Sequence, residues 1–424
     1  MTRKLLTGNS AAAWGARLAQ VDYVPAFPIT PQTEIIEDLS LWIERGEMDA
    51  RMVTLESEHS MITAAGSAAS SGVRVFTATS SQGLLYGMEM VYTVAGWRAP
   101  FVMINVSRGL SSPITLESDH NDIMAARDSG FLQIHCATCQ EITDSVLMAY
   151  RLAEHKEIRL PAIVNQDGFY LSFTREPVSL PDADKAAAFV GEFDPENLQF
   201  KSGAPLSQAM AVLGGGPYSY FRYQAHLAVQ RALSVYDEIA DEFADTFGRH
   251  YDMIDSYMMD DAEYVLVMMG SFATKARDAI DSLRQAGRKV GLARIRLFRP
   301  FPQERIRQLL SGRSAVAVID QNISMGMGGI LYSEIAMALY GMNDAPAVLA
   351  SYIGGLGGRD ISQQEFFEMI NELKQADDKG ERLQPRLLYT QDELTEIRNL
   401  QAIAQAEHSD INQAERKSVE SKKK

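Results

Sequence analysis

The chain has 424 residues, a length that suggests two or three domains, each large enough to bury a hydrophobic core. Its 40 Lys and Arg against 55 Asp and Glu give a formal net charge of −15, which would repel nucleic acid. Hydrophobic residues make up 46% of the chain, as in a folded protein, and no apolar run reaches the ~18 residues that a membrane span needs.

The segment Met1–Asn9 carries basic residues but no apolar segment after them, so we expect a cytoplasmic protein without a secretory signal.

From Leu18 to Phe169, short apolar runs alternate with segments of helical period. The predicted strands are Tyr23–Ile29, Met52–Leu55, Val73–Thr79, Phe101–Val106, Leu132–Ile134 and Pro161–Asn165. The predicted helices are Thr33–Trp42, His59–Ser71, Gln82–Ala95, Asp122–Asp128 and Ile142–Glu154. This alternation predicts βαβ units and a mostly parallel sheet, so the first domain belongs to the α/β class.

The second half of the chain is predicted to form a connector and a smaller α/β domain. Gly and Pro residues without a sustained period mark Thr174–Tyr223 as the connector, and a long helix is predicted over Gln224–Phe247. The strands predicted after it are Tyr264–Met269, Lys289–Leu297, Ala315–Ile319 and Ala347–Ile353. We place the first domain and its connector at residues 1–250, the second domain at 251–375 and a polar tail at 376–424.

Within the tail, Thr390–Glu393 has the residue pattern of a capping box, with apolar residues at helical spacing on one side of the helix that follows. Beyond His408 the sequence is too charged and too poor in apolar residues to fold alone, so a solvated end is predicted there.

The two cysteines, Cys136 and Cys139, form a single CxxC pair. A metal or iron–sulfur site needs about four soft ligands, and no second cysteine pair is present to complete one. A thioredoxin-like redox pair is the alternative to buried free thiols between a strand and a helix. We interpret the pair as structural and predict no metal ligands in this chain.

Three polar residues follow predicted strands of the first domain, at the edge where open parallel sheets bind their ligands. Thr30 ends the first strand, and Pro31 can occupy the first position of the next helix. Glu58 opens the helix that follows the second strand, and Arg108 leaves the end of a buried strand. A helix start and an arginine both favour a carboxylate ligand, and a carboxyl in a cleft can handle protons.

Each of these residues also has a purely structural interpretation. Thr30 can serve as a helix N-cap, Glu58 as a favourable charge at a helix start, and Arg108 as one partner of a surface ion pair.

Two glycine-rich pieces, Ser324–Gly329 and Ile353–Gly358, follow strands without completing a GxGxxG pattern. We interpret both as tight strand-to-helix turns.

Several motifs together resemble one known family. They are Phe27–Pro31, Glu56–His59, Phe76–Leu85, Asn105–Arg108 with Asp119–Asp122, Phe247–Arg249 and Leu297–Pro302. The chain resembles, over roughly residues 5–375, the α subunit of the 2-oxoacid:ferredoxin oxidoreductases, of which pyruvate:ferredoxin oxidoreductase is the best-known member. The run Thr77–Gly83 is the most specific of these pieces.

The resemblance implies a thiamine diphosphate enzyme. Its first domain would bind the aminopyrimidine ring, and its second would be similar to the C-terminal domain of transketolase. Glu58 would hydrogen-bond N1′ of the ring and so promote removal of the cofactor's C2 proton. Thr30 and Arg108 would hold the substrate carboxylate and the adjacent oxygen. Ile29, Ser81 and Gln82 would also contact the cofactor, which would be shared with a partner subunit.

The same resemblance implies the reaction and the partners. A 2-oxoacid, with pyruvate favoured, would be converted with coenzyme A to acyl-CoA and carbon dioxide, and the electrons would pass through iron–sulfur clusters to ferredoxin. The Gly-Asp-Gly signature that holds Mg²⁺ and diphosphate is missing, the nearest fragment being Gln166–Gly168. The resemblance therefore implies that Mg²⁺, most of the diphosphate site and the [4Fe-4S] clusters lie on β, γ and ferredoxin-like δ subunits.

Alternatives stay open at this stage. The segment Pro113–His120 departs from pyruvate enzymes, which more often carry an aromatic residue near Glu117, and this leaves an aryl 2-oxoacid such as phenylglyoxylate, with another acceptor such as NAD. A non-oxidative enzyme of the transketolase type and a non-catalytic interaction subunit are the two other hypotheses.

Overall fold

The computed structural model describes residues 2–195, 202, 203, 205, 207 and 210–421. The chain divides into two compact units, Met1–Pro385 and Arg386–Lys424. The strands are β1 (Thr2–Thr7), β2 (Tyr23–Ala26), β3 (Arg51–Thr54), β4 (Phe76–Thr79), β5 (Val102–Ser107), β6 (Leu132–His135), β7 (Ala162–Asp167), β8 (Arg175–Leu180), β9 (Ile254–Tyr257), β10 (Tyr264–Met268), β11 (Val290–Ile295), β12 (Leu297–Arg299), β13 (Ala315–Asp320), β14 (Val348–Ile353) and β15 (Arg386–Leu387). The helices are α1 (Gly8–Leu18), α2 (Thr33–Glu44), α3 (Glu58–Ser70), α4 (Ser81–Tyr86), α5 (Met88–Gly96), α6 (Asn121–Ala125), α7 (Cys139–Ala153), α8 (Ala183–Val190), α9 (Gly215–Phe247), α10 (Phe272–Gln285), α11 (Gln303–Leu310), α12 (Ile330–Leu339), α13 (Gln363–Lys379) and α14 (Gln391–Ser421).

A parallel sheet lies at the centre of the first half of the larger unit. Its strands follow the order β12-β6-β7-β5-β4, and β4 to β7 are parallel to one another. Every residue of β5 and β7 is buried, as expected for strands covered on both faces. The parallel pair β2–β3 is connected to this region by a bridge from Tyr23 to Val75. The predicted α/β class is confirmed.

A second sheet forms the other half of this unit. Its strands here follow the order β14-β13-β10-β11-β9, all parallel except β9, which is antiparallel to β11. One strand predicted over Lys289–Leu297 is in fact two, β11 in the second sheet and β12 in the first. Strand β12 pairs antiparallel with β6, with Leu297 opposite Ile134. The first sheet therefore contains a strand from the second half of the chain.

The other predicted strands overlap observed strands, with ends that agree within three residues. The prediction that all of Thr174–Tyr223 is a connector is wrong. Strand β8 lies in it and pairs antiparallel with β1, which accommodates Pro177 at an edge. Helix α8 also lies in it, with the Asp182 side chain accepting from the Lys185 N–H, and α9 begins at Gly215. Residues 196–201, 204, 206, 208 and 209 of the predicted connector lie outside the described residues.

Two other helices differ from prediction. The helix expected over Gln82–Ala95 is interrupted at Gly87, whose φ of −84° and ψ of 4° depart from helical values, so α4 and α5 are separate. In the second unit the predicted capping box is present, since Thr390 and Glu393 bond each other's main-chain N–H groups. Helix α14 continues past His408 to Ser421, through a segment rich in helix-forming Ala, Gln, Glu and Lys. Residues 422–424 of the predicted solvated end lie outside the described residues.

The two cysteines lie where a structural role predicts. Cys136, directly after β6, and Cys139, the first residue of α7, are both free and buried, and burial raises the pKa of each thiol well above its usual value. Such thiols are poor nucleophiles. Over the described part of the chain, none of the helices combines the length and the apolar content that crossing a bilayer requires.

A buried ion cluster joins α7 to the strands of the second half. Glu141 accepts hydrogen bonds from Arg294 Nη2 at 2.6 Å, from Arg296 Nε at 2.5 Å and from the Ala137 N–H at 2.6 Å. Burial alone would raise the pKa of the Glu141 carboxyl, but the two guanidinium groups outweigh it and lower the pKa to about 2. Arg294 also pairs with Asp255 on β9. This cluster anchors the chain where it passes from one sheet to the other.

We expect Glu141→Gln to lower the free energy of unfolding by about 3 kcal/mol at pH 7, because it leaves two buried guanidinium groups poorly compensated. Since the folded-state pKa is depressed, this stability is present above about pH 4.5 and is lost as pH falls toward 2, so the variant should show a flatter acid dependence. Urea denaturation across pH measures both effects. Glu263→Gln, in a surface pair with Lys289, is the control and should leave the midpoint nearly unchanged. A midpoint for Glu141→Gln equal to that of this control would contradict the prediction.

Candidate active site

Four loops meet at the carboxyl edge of the first half. Strand β2 leads to Phe27–Pro31, β3 to Glu58, β4 to Ser81 and β5 to Arg108. Because these strands run parallel, the segments that follow them converge at one edge of the fold. The predicted site residues therefore come from separate loops that the sheet brings together.

Arg108 connects two of these loops. Its side chain is only 7% exposed, and its Nη1 donates to the Thr30 main-chain oxygen at 2.7 Å. Its Nη2 donates to the Gln82 side-chain oxygen. The Nε is buried and has no hydrogen-bond partner among the residues described. Burial lowers the pKa of this guanidinium, and Asp122 acts in the opposite direction. A buried, charged group with a free donor can bind an anion.

Ser81 and Gln82 form the turn that enters α4. Ser81 has a φ of +48°, a left-handed conformation that is uncommon for a residue with a side chain. Its hydroxyl lies 2.9 Å from the Gly109 carbonyl and 2.7 Å from Gln82 Oε1, and can donate to one of them at a time. Gln82 Nε2 donates to Ser111 Oγ at 3.0 Å. Both residues thus connect α4 to the loop after Arg108.

Glu58 is the first residue of α3, and the residue is buried. Ser57 is the N-cap, whose side chain accepts from the Ser60 N–H at 3.2 Å, as the helix start predicted there requires. The Glu58 side chain is 5% exposed and makes no hydrogen bond to any residue that the structure describes. It lies against Gly83, where an added Cβ would be 2.4 Å from Glu58 Oε1. The absence of a side chain at residue 83 therefore makes room for this carboxyl.

The interpretation of Thr30 as a helix N-cap is wrong. Helix α2 begins at Thr33, with Gln32 as its N-cap residue and no side-chain cap, because the Thr30–Pro31 segment belongs to the loop. Thr30 is exposed, and Ile29 is half-buried. The hydroxyl of Thr30 is therefore free of a capping role and lies on the residue whose carbonyl contacts Arg108.

Sequence reasoning missed a second set of buried polar residues beneath these loops. Asp122 bonds the main chain of both Ser81 and Arg108, at 3.0 Å and 3.2 Å. His120 Nε2 lies 2.7 Å from Asp167 Oδ1, and Asp167 Oδ2 accepts from both the N–H and the hydroxyl of Ser271. The signal was present in the Asp119–Asp122 motif, but nothing in the sequence indicates which main-chain groups its carboxylates reach.

The glycine-rich pieces are turns, as predicted. Gly326 and Gly328 have φ values of +82° and +107°, and Gly355 has +75°. The Gly358 N–H donates to the Ser118 carbonyl at 2.7 Å, so the second turn packs on the loop after Arg108. The loop is therefore held between the two sheets.

Within the described ranges no group of three or more His, Cys, Asp and Glu residues could hold a metal ion.

The fold and the family comparison together define an α/β protein of the thiamine diphosphate-binding class. Residues 14–243, more than half of the chain, match the family described as pyruvate flavodoxin/ferredoxin oxidoreductase, thiamine diphosphate-binding. Residues 262–366 match the pyruvate:ferredoxin oxidoreductase core domain II. The chain belongs to the pyruvate:ferredoxin oxidoreductase family. The resemblance seen in the sequence motifs, and the oxidoreductase class that it implied, are confirmed.

Relatives match nearly the whole chain. It is 42% identical to the pyruvate synthase subunit PorA of Methanocaldococcus jannaschii, over 88% of this chain and 96% of that protein. It is 41% identical to the same subunit of Thermotoga maritima, over 89% and 97%. It is 38% identical to the ketoisovalerate oxidoreductase subunit VorA of Pyrococcus abyssi, over 89% and 95%.

One solved structure supports the fold. It is 2-oxoglutarate:ferredoxin oxidoreductase from Magnetococcus marinus with 2-oxoglutarate, coenzyme A and succinyl-CoA bound, with a TM-score of 0.69 and 18% identity. The match covers 88% of this chain and 65% of that chain, so this protein spans about two thirds of its length. A split-gene transketolase is also similar, with a TM-score of 0.50 and 10% identity. Both likenesses concern the fold alone.

Proposed function

We propose that this chain is the α subunit of a thiamine diphosphate-dependent 2-oxoacid:ferredoxin oxidoreductase, with pyruvate as the favoured substrate. The reaction converts a 2-oxoacid and coenzyme A to acyl-CoA, carbon dioxide, a proton and two electrons. The family match and the PorA relatives at about 40% identity support it. The VorA relative makes a branched 2-oxoacid the second substrate to test.

The Glu58 carboxyl, which has no hydrogen-bond partner among the described residues, is the observation that carries the proposal. The residue as a whole is only 5% exposed, and its carboxyl lies against Gly83. The hydroxyls of Thr79 and Ser80, which precede Gly83 in the chain, are buried and have no hydrogen-bond partner among the described residues. A carboxyl with free hydrogen-bonding capacity fits a ring nitrogen, so these residues are suited to the aminopyrimidine end of the cofactor.

The roles of the other residues follow from their positions. When bound, thiamine diphosphate supplies the nucleophile that attacks the keto carbon and the electron sink for decarboxylation. Glu58 holds or moves a proton at the ring nitrogen N1′. Arg108, already ordered by Thr30 and Gln82, binds the substrate carboxylate, and the Thr30 hydroxyl orients the adjacent oxygen. Ile29, Ser81 and Gln82 complete the wall beside the cofactor.

Other groups are assigned to partner chains. We place Mg²⁺ and most of the diphosphate contacts on a β subunit, and the [4Fe-4S] clusters on further subunits, including a ferredoxin-like δ and a γ subunit. Ferredoxin is the proposed acceptor, and the cytoplasm the proposed location. We retain residues 1–250 as the pyrimidine-binding domain with its connector, 251–375 as the transketolase C-terminal-like domain and 376–424 as the tail.

The test is a substrate panel on the complex purified with this chain. Pyruvate, 2-oxoisovalerate, 2-oxoglutarate and phenylglyoxylate are assayed with coenzyme A, thiamine diphosphate and either ferredoxin or NAD. We expect pyruvate to give the highest kcat/KM, with ferredoxin reduced and the isolated chain inactive. Turnover without any electron acceptor would instead support a transketolase-type enzyme, and no turnover at all would support an interaction subunit.

Gly83→Ala tests the room left for the Glu58 carboxyl. The added methyl would lie 2.4 Å from Glu58 Oε1 and 2.7 Å from Thr79 Oγ1, so it must displace the carboxyl. We expect at least a roughly tenfold weaker apparent affinity for thiamine diphosphate, measured by titrating cofactor-free complex, with thermal stability largely kept. Gly96→Ala, where a Cβ meets nothing within 4 Å, is the control. Equal cofactor affinity in the two variants would contradict the assigned position of the cofactor.

A further inference from the structure

Asp122 collects five hydrogen bonds on one buried carboxylate. Its Oδ2 accepts from the Ser81 N–H at 3.0 Å, the Arg108 N–H at 3.2 Å and Asn105 Nδ2 at 3.1 Å. Its Oδ1 accepts from Ser107 Oγ at 2.7 Å and the Ile123 N–H at 2.7 Å. The side chain is fully buried, at 0% exposure. One carboxylate thus joins the start of α4, the end of β5 and the loop that follows β5.

Two of these donors are the main-chain N–H groups of residues assigned to the site. Ser81 adopts its left-handed φ of +48° there, a conformation that persists only where the surroundings determine it strongly. The bond from the Ser81 N–H to Asp122 and the contact of its hydroxyl with Gly109 supply that determination. The same oxygen of Asp122 fixes the main chain of Arg108, so it sets the spacing between the Arg108 and Gln82 loops.

We infer that Asp122 is a positioning residue for 2-oxoacid binding, which holds the Ser81 turn and Arg108 in register so that the guanidinium is aimed at the substrate carboxylate. This inference rests on the proposed function. Asp122 touches neither substrate nor cofactor in this assignment, and acts only through the main chain of the two loops.

The ionisation state of Asp122 makes the role measurable. Burial raises the pKa of its carboxyl to about 6, although the hydrogen bonds from Ser107 and Asn105 act in the opposite direction. The charged and titratable groups that face it are Asp119 and His120, just before α6, and Arg108, directly after β5. Well above about pH 6 the group is ionised and can accept all five donors. Below it, the added proton removes one acceptor position, so the two loops lose part of their support.

The experiment measures substrate binding and turnover in the complete complex from pH 5 to 8. For the unaltered protein we expect the KM for pyruvate to rise below about pH 6, with the KM for coenzyme A unaffected. Calorimetric binding of oxamate, an unreactive isostere of pyruvate, should weaken over the same range. We call this low-pH rise in the KM for pyruvate the acid limb. Ser107→Ala removes a hydrogen bond that lowers the pKa of Asp122, so the acid limb should move to higher pH.

Two substitutions at residue 122 separate positioning from mere stability. Asp122→Ala removes every acceptor, and we expect the KM for pyruvate and the Kd for oxamate to rise about 10- to 100-fold at pH 7.5. Asp122→Asn can keep its oxygen toward Ser81 and Arg108 while its amide donates to Ser107 Oγ. It should restore most of the affinity and abolish the acid limb, because an amide does not titrate.

Asp320→Asn is the matched control. Asp320 is a buried carboxyl whose pKa burial also raises to about 6, and it accepts main-chain bonds from Leu331 and Tyr332 at the start of α12. Its variant should keep the acid limb.

An acid limb that persists in Asp122→Asn, or wild-type oxamate affinity in folded Asp122→Ala, would overturn the inference. If Asp122→Ala fails to fold, the comparison of the two Asn variants decides. A wild-type complex that neither turns over 2-oxoacids nor binds oxamate would overturn the proposed function together with this inference, whereas an active complex insensitive to Asp122 overturns the inference alone.

Discussion

Glu58→Gln in the assembled complex should lose about 10²- to 10⁴-fold in kcat while the protein folds and assembles normally. The amide keeps the size of the side chain, and the carboxyl has no hydrogen bond to lose within the described residues. In the proposed assignment, what it removes is the ability to exchange a proton with the ring nitrogen of the cofactor. Steady-state turnover, a thermal melt and size-exclusion chromatography of the same preparation measure the three quantities.

Glu56→Gln is the matched control for this variant. Glu56 lies two residues earlier, is exposed, and accepts a hydrogen bond from the Ser60 hydroxyl at the start of α3. Its substitution should leave kcat unchanged. If Glu58→Gln turned over as fast as Glu56→Gln, the carboxyl would have no part in the reaction and the assignment of the site would fail.

Arg108→Ala should cost about 2–5 kcal/mol of transition-state binding, because under the proposed function it removes a buried donor group from the substrate carboxylate. The loss should appear mainly in kcat/KM for the 2-oxoacid, with the KM for coenzyme A unchanged. Arg108→Lys should also be impaired, since an ammonium cannot donate to Thr30, Gln82 and a ligand in the geometry of a planar guanidinium. Steady-state kinetics with pyruvate as the varied substrate measures these changes.

Arg45→Ala provides the comparison, because Arg45 is an exposed residue at the end of α2. Removing its charge should change kcat/KM less than twofold. An equally small effect of Arg108→Ala would mean that Arg108 only fastens the loops, and the substrate carboxylate would have to be bound by other groups.

Residues close to strand ends could be predicted from the sequence, because buried parallel strands are read from their composition and their carboxyl ends meet at one edge. This reasoning placed Glu58 and Arg108 correctly at strand ends, whereas Ser81 and Gln82 entered only through the resemblance to a family. Their catalytic roles stay predictions, since they came from the resemblance to a family. The interpretation of Thr30 as a cap failed because the loop holding Pro31 extends further than the local pattern indicates.

What could not be predicted depends on contacts between distant parts of the chain. Strand β8 is recognisable only with β1 beside it, about 170 residues earlier in sequence. Asp122 has the local pattern of an ordinary helix start, and its importance lies in main-chain N–H groups 14 and 41 residues away. Neither the hydrophobic periodicity nor the secondary-structure propensity of a local segment predicts such long-range hydrogen bonds. For the same reason the cluster of Glu141 with Arg294 and Arg296 was not foreseen.

The pairing of β12, from the second half of the chain, with β6 of the first sheet has a practical consequence for the design of fragments of this subunit. A fragment that stops at residue 250 would lack Leu297–Arg299 and so leave β6 with unsatisfied hydrogen-bonding groups along an open margin. Such a margin recruits strands from other molecules, so the truncated piece would be expected to self-associate when expressed. Engineering of separate halves would have to carry residues 297–299 along with the amino-terminal part, or cap that margin with a designed strand.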